Sequence, residues 1–465
     1  MDLIKTELIE DENSGFITIP PKLVLAFHCS NIFQNQKTFD LENITSVHIN
    51  RADDSDVLVE NKDKKINIYL PDKWTSKKHA IIEYVNDEWI LQDLGASNKT
   101  FLNDSPILKN VLSDGDVIGI GGSIWVFRES YITHANNYHK KRKAENPILS
   151  SLNFKTQSIF NTLQLYACNE RSMLIYGPPG CGKSLIARTL HTLSGREGDL
   201  MSVDCGALSQ NLIEAELFGS EEGSFTDAKK SRKGLLYSAD KGTLFLDEIG
   251  EMPLQLQTRL LHALEEKEIR PIGSNKYIKI QYKVICATTR FLDEDVKIGK
   301  FNEALYSRIS GSIFHIPPLK ERVEDIGALL AKFYNSGEKS FDRLSFSPIL
   351  ARNLFLYTWP SNIRGLVDFV ENSISHINPN NEIGIDALPD KIRSYKFVKA
   401  STDPFSKDNV DLLNNIKKRP TKSQFIRLLK DNKGNITAIA RFLQTSPSQV
   451  ARKLNELELD VNEYR

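Results

Sequence analysis

The sequence has no CxxC pair and no histidine spacing suited to zinc. Its five cysteines, Cys29, Cys168, Cys181, Cys205 and Cys286, are odd in number and scattered. That usage fits reduced thiols rather than a disulfide framework. No run reaches the roughly 18 apolar residues that a membrane-spanning helix needs, so no membrane partner is expected. Met1-Asp2 opens into acidic sequence instead of a basic stretch followed by an apolar one, so no signal peptide is expected. Together these absences point to a soluble, cytoplasmic protein. Net charge is absent as well. The 60 Lys and Arg balance 60 Asp and Glu, which argues neither for nor against a polyanionic partner. Internal repeats and low-complexity tracts are also missing.

What is present falls into three textures, in line with the three domains that 465 residues imply. In residues 21–130, short alternating segments such as "KINIYL", "AIIEYV" and "VIGIGG" are divided by Asp, Asn and Gly clusters, the pattern of an all-β sandwich. Residues 131–147, with "HANNYHKKRKAENP", read as a polar, basic linker. In residues 148–395 apolar runs alternate with amphipathic helices, predicting a parallel α/β sheet followed by a helical lid. A second polar linker, 396–409, leads to a short helical block, 410–465. From Phe405 to Arg465 there are 12 Lys and Arg against 7 Asp and Glu, the local balance of a nucleic-acid-binding tail.

"MLIYGPPGCGKSLIARTL" places an apolar strand before Gly177-Pro178-Pro179-Gly180-Cys181-Gly182-Lys183-Ser184, and a helix after it. This is G-x-x-x-x-G-K-[ST] in its required strand, loop and helix context. Glycines let backbone N–H groups converge on phosphate oxygens, and the helix N-terminus adds partial positive charge. Lys183 is expected to reach the β- and γ-phosphates of ATP, Ser184 to ligand Mg²⁺, and Cys181 to fill the tight turn. "GTLFLDEIGEMP" supplies a second buried strand ending in Asp247-Glu248. Asp247 is expected to hold Mg²⁺ with Ser184, and Glu248 to polarise the attacking water.

These residues carry a specific resemblance. "ELFGSEEGSFTDA", "GTLFLDEIGEMPLQLQTRLLHALEEKEIRPIG", "YSRISGSIFHIPPLKERVEDI" and "WPSNIRGL" resemble the AAA+ domain of bacterial enhancer-binding proteins, the NtrC-family activators of sigma-54 RNA polymerase. The resemblance implies that Phe225 and Thr226 contact sigma-54, from a loop in which Ser224 and Asp227 depart from the family's Ala and Gly. It also implies that Asp204 partners the catalytic Glu248, that Thr289 is a sensor, and that Arg364 contacts nucleotide from the lid. Arg308 matches an arginine finger reaching into the neighbouring subunit, so a homo-oligomer is implied, from a dimer up to a hexameric ring. Where the family has a first arginine, this sequence has Asn302. Either turnover or subunit assembly should be weakened by that change.

The C-terminal "KGNITAIARFLQTSPSQVARKLNELELD" resembles a Fis-type helix-turn-helix, implying that Ser448, Gln449, Arg452 and Lys453 face enhancer DNA. The N-terminal "HINRADDSDV", "TSKKHAIIE" and "LQDLGASNKTFLND" resemble a forkhead-associated (FHA) domain, which reads phosphothreonine. By that likeness Arg51, Ser76 and Lys77 bind the phosphate, Ser97 and Asn98 hold the peptide, and His79 braces the binding loop. The partner would be a phosphothreonine-containing protein, a Ser/Thr kinase or its substrate. Asn50 and Lys99 stand where the family has glycines, at sites expected to need unusual backbone angles.

The expected architecture is thus an N-terminal β-sandwich, a central AAA+ P-loop ATPase with helical lid, and a C-terminal helix-turn-helix. The expected function is a sigma-54-dependent activator that hydrolyses ATP. A regulator with a weak ATPase, acting by docking alone, stays open as the alternative.

Overall fold

The computed structural model describes residues 16–34, 36–52, 57–134, 146–207, 210–222, 232–336 and 341–389, with positions 392 and 454. The alternating N-terminal segments form two six-stranded sheets. One runs in the order Ser105–Ile107, Thr100–Leu102, Val117–Ile120, Ser123–Arg128, Lys22–His28, Lys37–Asp40. The other runs Lys109–Val111, Glu88–Asp93, Ala80–Val85, Ser46–Arg51, Lys65–Leu70, Leu58–Lys62. Leu23, Leu25, Ile49, Ile68, Leu91, Trp125 and Phe127 fill the space between them. Residues 131–147, expected as linker, begin instead as strand. The alternating "YITH" of Tyr131–His134 pairs antiparallel with Phe16–Ile19.

The central block is a five-stranded parallel sheet in the order Leu200–Asp204, Thr243–Asp247, Lys283–Thr288, Met173–Tyr176, Ile313–His315. Met173–Tyr176 and Lys283–Thr288 are buried at every position, as a parallel sheet covered on both faces requires. This order sets the strand of Thr288 between the P-loop strand and the strand that ends in Asp247. Three helices, Asp325–Asn335, Pro348–Leu356 and Asn362–Ser373, make the lid. No described helix is long and apolar enough to cross a membrane.

The sandwich and the ATPase fold belong to one compact unit, and the contact between them is a shared core. Strand Lys22–His28 is buried along nearly its whole length. Its residues Leu23 and Leu25 point into the sandwich, while Val24, Ala26 and Phe27 join a cluster with the lid residues Ile326, Leu330, Phe346 and Phe355. Phe27 meets Phe346 edge-on at 5.3 Å and Phe355 at 5.6 Å between ring centroids. A Cβ on Gly327 would collide with the Ala26 carbonyl oxygen, so only glycine lets the lid helix approach this strand. At the rim, Arg352 lies 3.9 Å over the Phe101 ring and bonds Asp104 at 3.3 Å.

Arg128 closes the other side. Its Nε and Nη2 donate to the two carboxylate oxygens of the fully buried Glu324, at 2.9 and 2.6 Å, and Nη2 also reaches the Glu321 carbonyl at 3.0 Å. Asn153 Nδ2 gives Glu324 a third bond at 2.9 Å. Removing one partner of a buried pair strands the other charge, so Arg128→Ala should lower unfolding free energy by about 3–5 kcal/mol. Urea denaturation of the full chain measures it; a loss below about 1 kcal/mol would mean that Glu324 recovers solvent and the pair adds little.

Candidate active site

Lys183 begins the helix Lys183–Ser194, whose preceding residue Gly182 sits at φ 103°, a conformation glycine adopts readily. The Lys183 ammonium is nearly buried and donates to the Gly177 carbonyl at 2.9 Å and to Glu248 Oε1 at 3.2 Å. Ser184 Oγ donates to Asp247 Oδ2 at 2.8 Å. Asp247 ends its strand, and Glu248 follows in the left-handed region at φ 48°, with its N–H on Asp247 Oδ1 at 3.1 Å. A non-glycine residue held there is strained, and such strain clusters at working sites. Thr289 completes the clamp, since its N–H and Oγ1 both donate to Glu248 Oε2, at 3.0 and 3.2 Å.

Asp204 was expected to partner Glu248. It does not. Its Oδ1 accepts from Gly206 N–H at 2.9 Å, and Glu248 is taken by Lys183 and Thr289. Two carboxylates repel, whereas an ammonium and a hydroxyl supply the donors a carboxylate needs. Burial, then the charges of Asp204, Asp247 and Glu248, push the Cys205 thiol up to about 12. Burial also raises Cys181, whose side chain packs in the P-loop turn.

A cavity of about 680 Å³ opens over the P-loop. Its walls include Pro179, Gly180, Cys181, Gly182, Asp204 and Arg364, with an apolar side that Phe160, Leu329 and Val367 help to build. That division suits a nucleotide, with phosphates at the helix N-terminus and a base against hydrocarbon. The lid is seated directly on the loop. Ile363 N–H donates to the Gly180 carbonyl at 3.0 Å and Asn362 Nδ2 to the Pro179 carbonyl at 2.9 Å. A Cβ on Gly180 would strike the Ser361 carbonyl, so the close seat requires glycine. Arg364 is exposed at the cavity wall and makes no hydrogen bond or ion pair to another described residue.

Two residues of this site escaped the sequence reading. Arg322, nearly buried, donates to the Cys181 carbonyl at 3.2 Å and lies 3.9 Å from Asp325. Asp325 accepts from Ser151 Oγ at 2.6 Å and Leu152 N–H at 2.7 Å. Burial lifts its carboxyl to about 6, against the lowering effect of Arg322 and those bonds. The signal was available: "ERVEDI" holds three acids and a base where the helix must turn an apolar face to the core.

Arg308 does not line the cavity of its own chain. It is exposed at the end of helix Glu303–Ile309 and donates to the Leu264 carbonyl at 3.0 Å. Asn302 is the N-cap of this helix: its Oδ1 accepts from Leu305 N–H at 2.9 Å, and its own N–H donates to Gln257 Oε1 at 2.7 Å. The amide that replaces an arginine therefore has a local task that arginine, lacking an acceptor, cannot perform.

At one end of the sandwich the FHA-like loops converge. Arg51 N–H donates to the Ser76 carbonyl at 3.0 Å, and Ser97 N–H to Ser76 Oγ at 3.2 Å. Asn98 Nδ2 donates to the Trp74 carbonyl at 2.7 Å. Fully buried His79 accepts from Ser76 N–H on Nδ1 at 3.0 Å, and its Nε2 lies 3.2 Å from the Lys99 carbonyl. Those contacts require the Nε2–H tautomer, and burial lowers the imidazole pKa in keeping with a neutral ring. Lys77 is exposed beside Ser76. Lys99 has φ 55°, as expected of a glycine substitute, but Asn50 does not: it sits in the regular strand Ser46–Arg51. The loop of Phe225 and Thr226, and Ser448, Gln449, Arg452 and Lys453, lie outside the described residues.

Comparison with known families agrees with this geometry. The sigma-54 interaction domain matches residues 149–315, the AAA+ ATPase lid domain 320–403, and the FHA domain 60–121. The regulatory protein AtoC of Escherichia coli strain K12 is 38% identical over 299 residues, covering 63% of this chain and 64% of AtoC. The sigma54-dependent transcriptional activator SfnR of Pseudomonas putida is 41% identical over 226 residues, covering 47% of this chain and 61% of SfnR. The chain spans a little under two thirds of the length of such relatives. Among solved structures, NtrX from Brucella abortus in complex with ADP aligns with a TM-score of 0.49 at 27% identity, covering 67% of this chain and 70% of that one. The chain thus carries a sigma-54 interaction domain and an AAA+ lid domain preceded by an FHA domain, and it is similar to proteins named sigma-54-dependent transcriptional activators.

Proposed function

We propose that this protein hydrolyses ATP as a ring to remodel sigma-54 RNA polymerase at promoters, bound to enhancer DNA and controlled by a phosphothreonine-containing partner. The observation that carries the hydrolytic part is the clamp on Glu248. One carboxylate is shared between the P-loop lysine and the Thr289 sensor. An arriving γ-phosphate competes for Lys183, which frees one oxygen of Glu248 to accept a proton from water. Thr289 keeps the other oxygen in place. Ser184 and Asp247, a hydroxyl and a carboxylate at 2.8 Å, are the donor set for Mg²⁺, which when bound neutralises developing phosphate charge. Arg308, exposed and outside the lining of its own chain's cavity, would then act as an arginine finger in a neighbour's.

The phosphopeptide part is supported by the backbone contacts that bring Arg51, Ser76 and Ser97 to one end of the sandwich, residues whose guanidinium and hydroxyls are of the kind a dianion needs. One observation favours a second reading, docking without remodelling: the Asn302 side chain is committed to capping its helix and leaves one arginine at the subunit junction.

Promoter opening by sigma-54 holoenzyme in vitro separates the two. Parent protein with ATP should open promoters. Thr226→Ala should hydrolyse ATP at a rate near the parent's yet fail to bind sigma-54 or open promoters. Opening by Thr226→Ala, or parent activity without hydrolysis, would overturn the remodelling mechanism.

A further inference from the structure

One residue of the nucleotide cavity's wall does not come from the ATPase fold. Gln36, which belongs to the sandwich, lines it together with Ser150, Lys332 and Phe333. The chain reaches this place from strand Lys22–His28 by a path tied to the lid at three backbone points. Phe346 N–H donates to the Cys29 carbonyl at 2.8 Å, Ile32 N–H to the Leu344 carbonyl at 2.9 Å, and Arg343 Nε to the Ser30 carbonyl at 3.1 Å. Ile32 is buried in the shared core, and Phe33 packs against it. After Gln36 the chain returns into strand Lys37–Asp40, where Lys37 Nζ holds the Val57 carbonyl at 3.0 Å. The position of Gln36 is therefore fixed from both sides.

The carboxamide of Gln36 is half-buried and makes no hydrogen bond to another described residue. It offers two donors and an acceptor to whatever fills the cavity. We propose that the FHA domain completes the nucleotide site, with Gln36 hydrogen-bonding the nucleoside part of the bound nucleotide, its ribose hydroxyls or base edge. The phosphates already have Lys183, the helix N-terminus and Arg364, and an uncharged amide adds little to charge neutralisation. It suits neutral, directional groups. The shared core adds the second half of the argument. Interfaces between domains usually permit motion, but a large apolar one does not. Sandwich and lid then move as one body, and the lid segment that seats on Gly180 carries Gln36 with it.

This inference rests on the reading of the cavity as an ATP site, and the experiment keeps the two apart. Dissociation constants for fluorescent ATP and ADP analogues, labelled on a phosphate, are measured by titration of the full chain as parent, Gln36→Ala, Gln36→Glu and Lys183→Ala. Loss of one net hydrogen bond predicts roughly fivefold weaker binding for Gln36→Ala, equal for ATP and ADP because both share the nucleoside. Gln36→Glu, which keeps the acceptor and loses the donors, should weaken both nucleotides as well. The unfolding midpoint of the nucleotide-free protein should not change. Unaltered affinity in both Gln36 variants, or a loss confined to ATP, overturns the assignment. Unaltered affinity in Lys183→Ala would instead overturn the nucleotide site itself.

Discussion

Glu248→Gln is expected to bind ATP as the parent does and to turn it over about 100- to 10,000-fold more slowly, the usual contribution of a positioned general base. The substitution is nearly isosteric. A glutamine carbonyl can still accept from Thr289 N–H and Oγ1 and so keep the clamp on that side. What it loses is basicity. It also loses the ionic partner of Lys183, whose ammonium is nearly buried and keeps its bond to the Gly177 carbonyl. An unpartnered cation welcomes a phosphate, so ATP affinity should hold or rise. Binding by fluorescence titration and hydrolysis by phosphate release measure the two halves separately. Parent-like turnover in Glu248→Gln would remove Glu248 from the chemistry. A large loss of binding would mean that the residue shapes the P-loop instead.

The second large effect concerns Arg308. Arg308→Ala should lose about 1,000-fold or more in turnover, the scale of an arginine finger at a transferring phosphoryl group. It should keep its fold, because the bond it surrenders, to the Leu264 carbonyl, is at an exposed position. The informative measurement is a mixture. If the cavity of one subunit takes Glu248 from its own chain and Arg308 from the next, equal amounts of Arg308→Ala and Glu248→Gln protein form rings with some intact junctions. Random assembly leaves roughly a quarter of junctions with both groups, so activity should return toward that fraction of the parent. A mixture as inactive as its parts would show that both groups serve one chain's cavity. Asn302 caps the helix that carries Arg308, its Oδ1 accepting from Leu305 N–H.

Much of the active site was readable before any coordinates. Gly177 to Ser184 and Asp247-Glu248 announce themselves because phosphate binding depends on backbone geometry that few residue types permit, at a spacing set by one strand, one loop and one helix. The bracing role of His79 came from the resemblance to FHA domains, not from the spacing of "TSKKHA". Other features resisted. The partner of Glu248 depends on which strand lies between the P-loop and Asp247, a matter of sheet order to which "KVICATT" gives no clue. Asn50 lies in a regular strand because Ser46–Arg51 pairs with Lys65–Leu70, a pairing that local sequence does not show. Arg322 and Asp325 were hidden in a segment whose charges look solvated until the lid folds over them.

The sandwich and lid contact marks the boundary most clearly. "KLVLAFH" and "SIWVFR" are continuous apolar runs among the alternating segments, and such runs fit strands covered on both faces. Local chemistry likewise determined the P-loop, the acidic pair and the capping amides, because each is a short stretch obeying the sterics of its own backbone. What covers the outer face of the sandwich was decided only by tertiary structure. Hydrophobic burial is non-directional and accepts any apolar partner of suitable shape. Only the assembled fold pairs Val24 and Phe27 with Phe346 and Phe355, sets Gly327 against Ala26, and brings Gln36 to the wall of a cavity built by residues more than a hundred positions away.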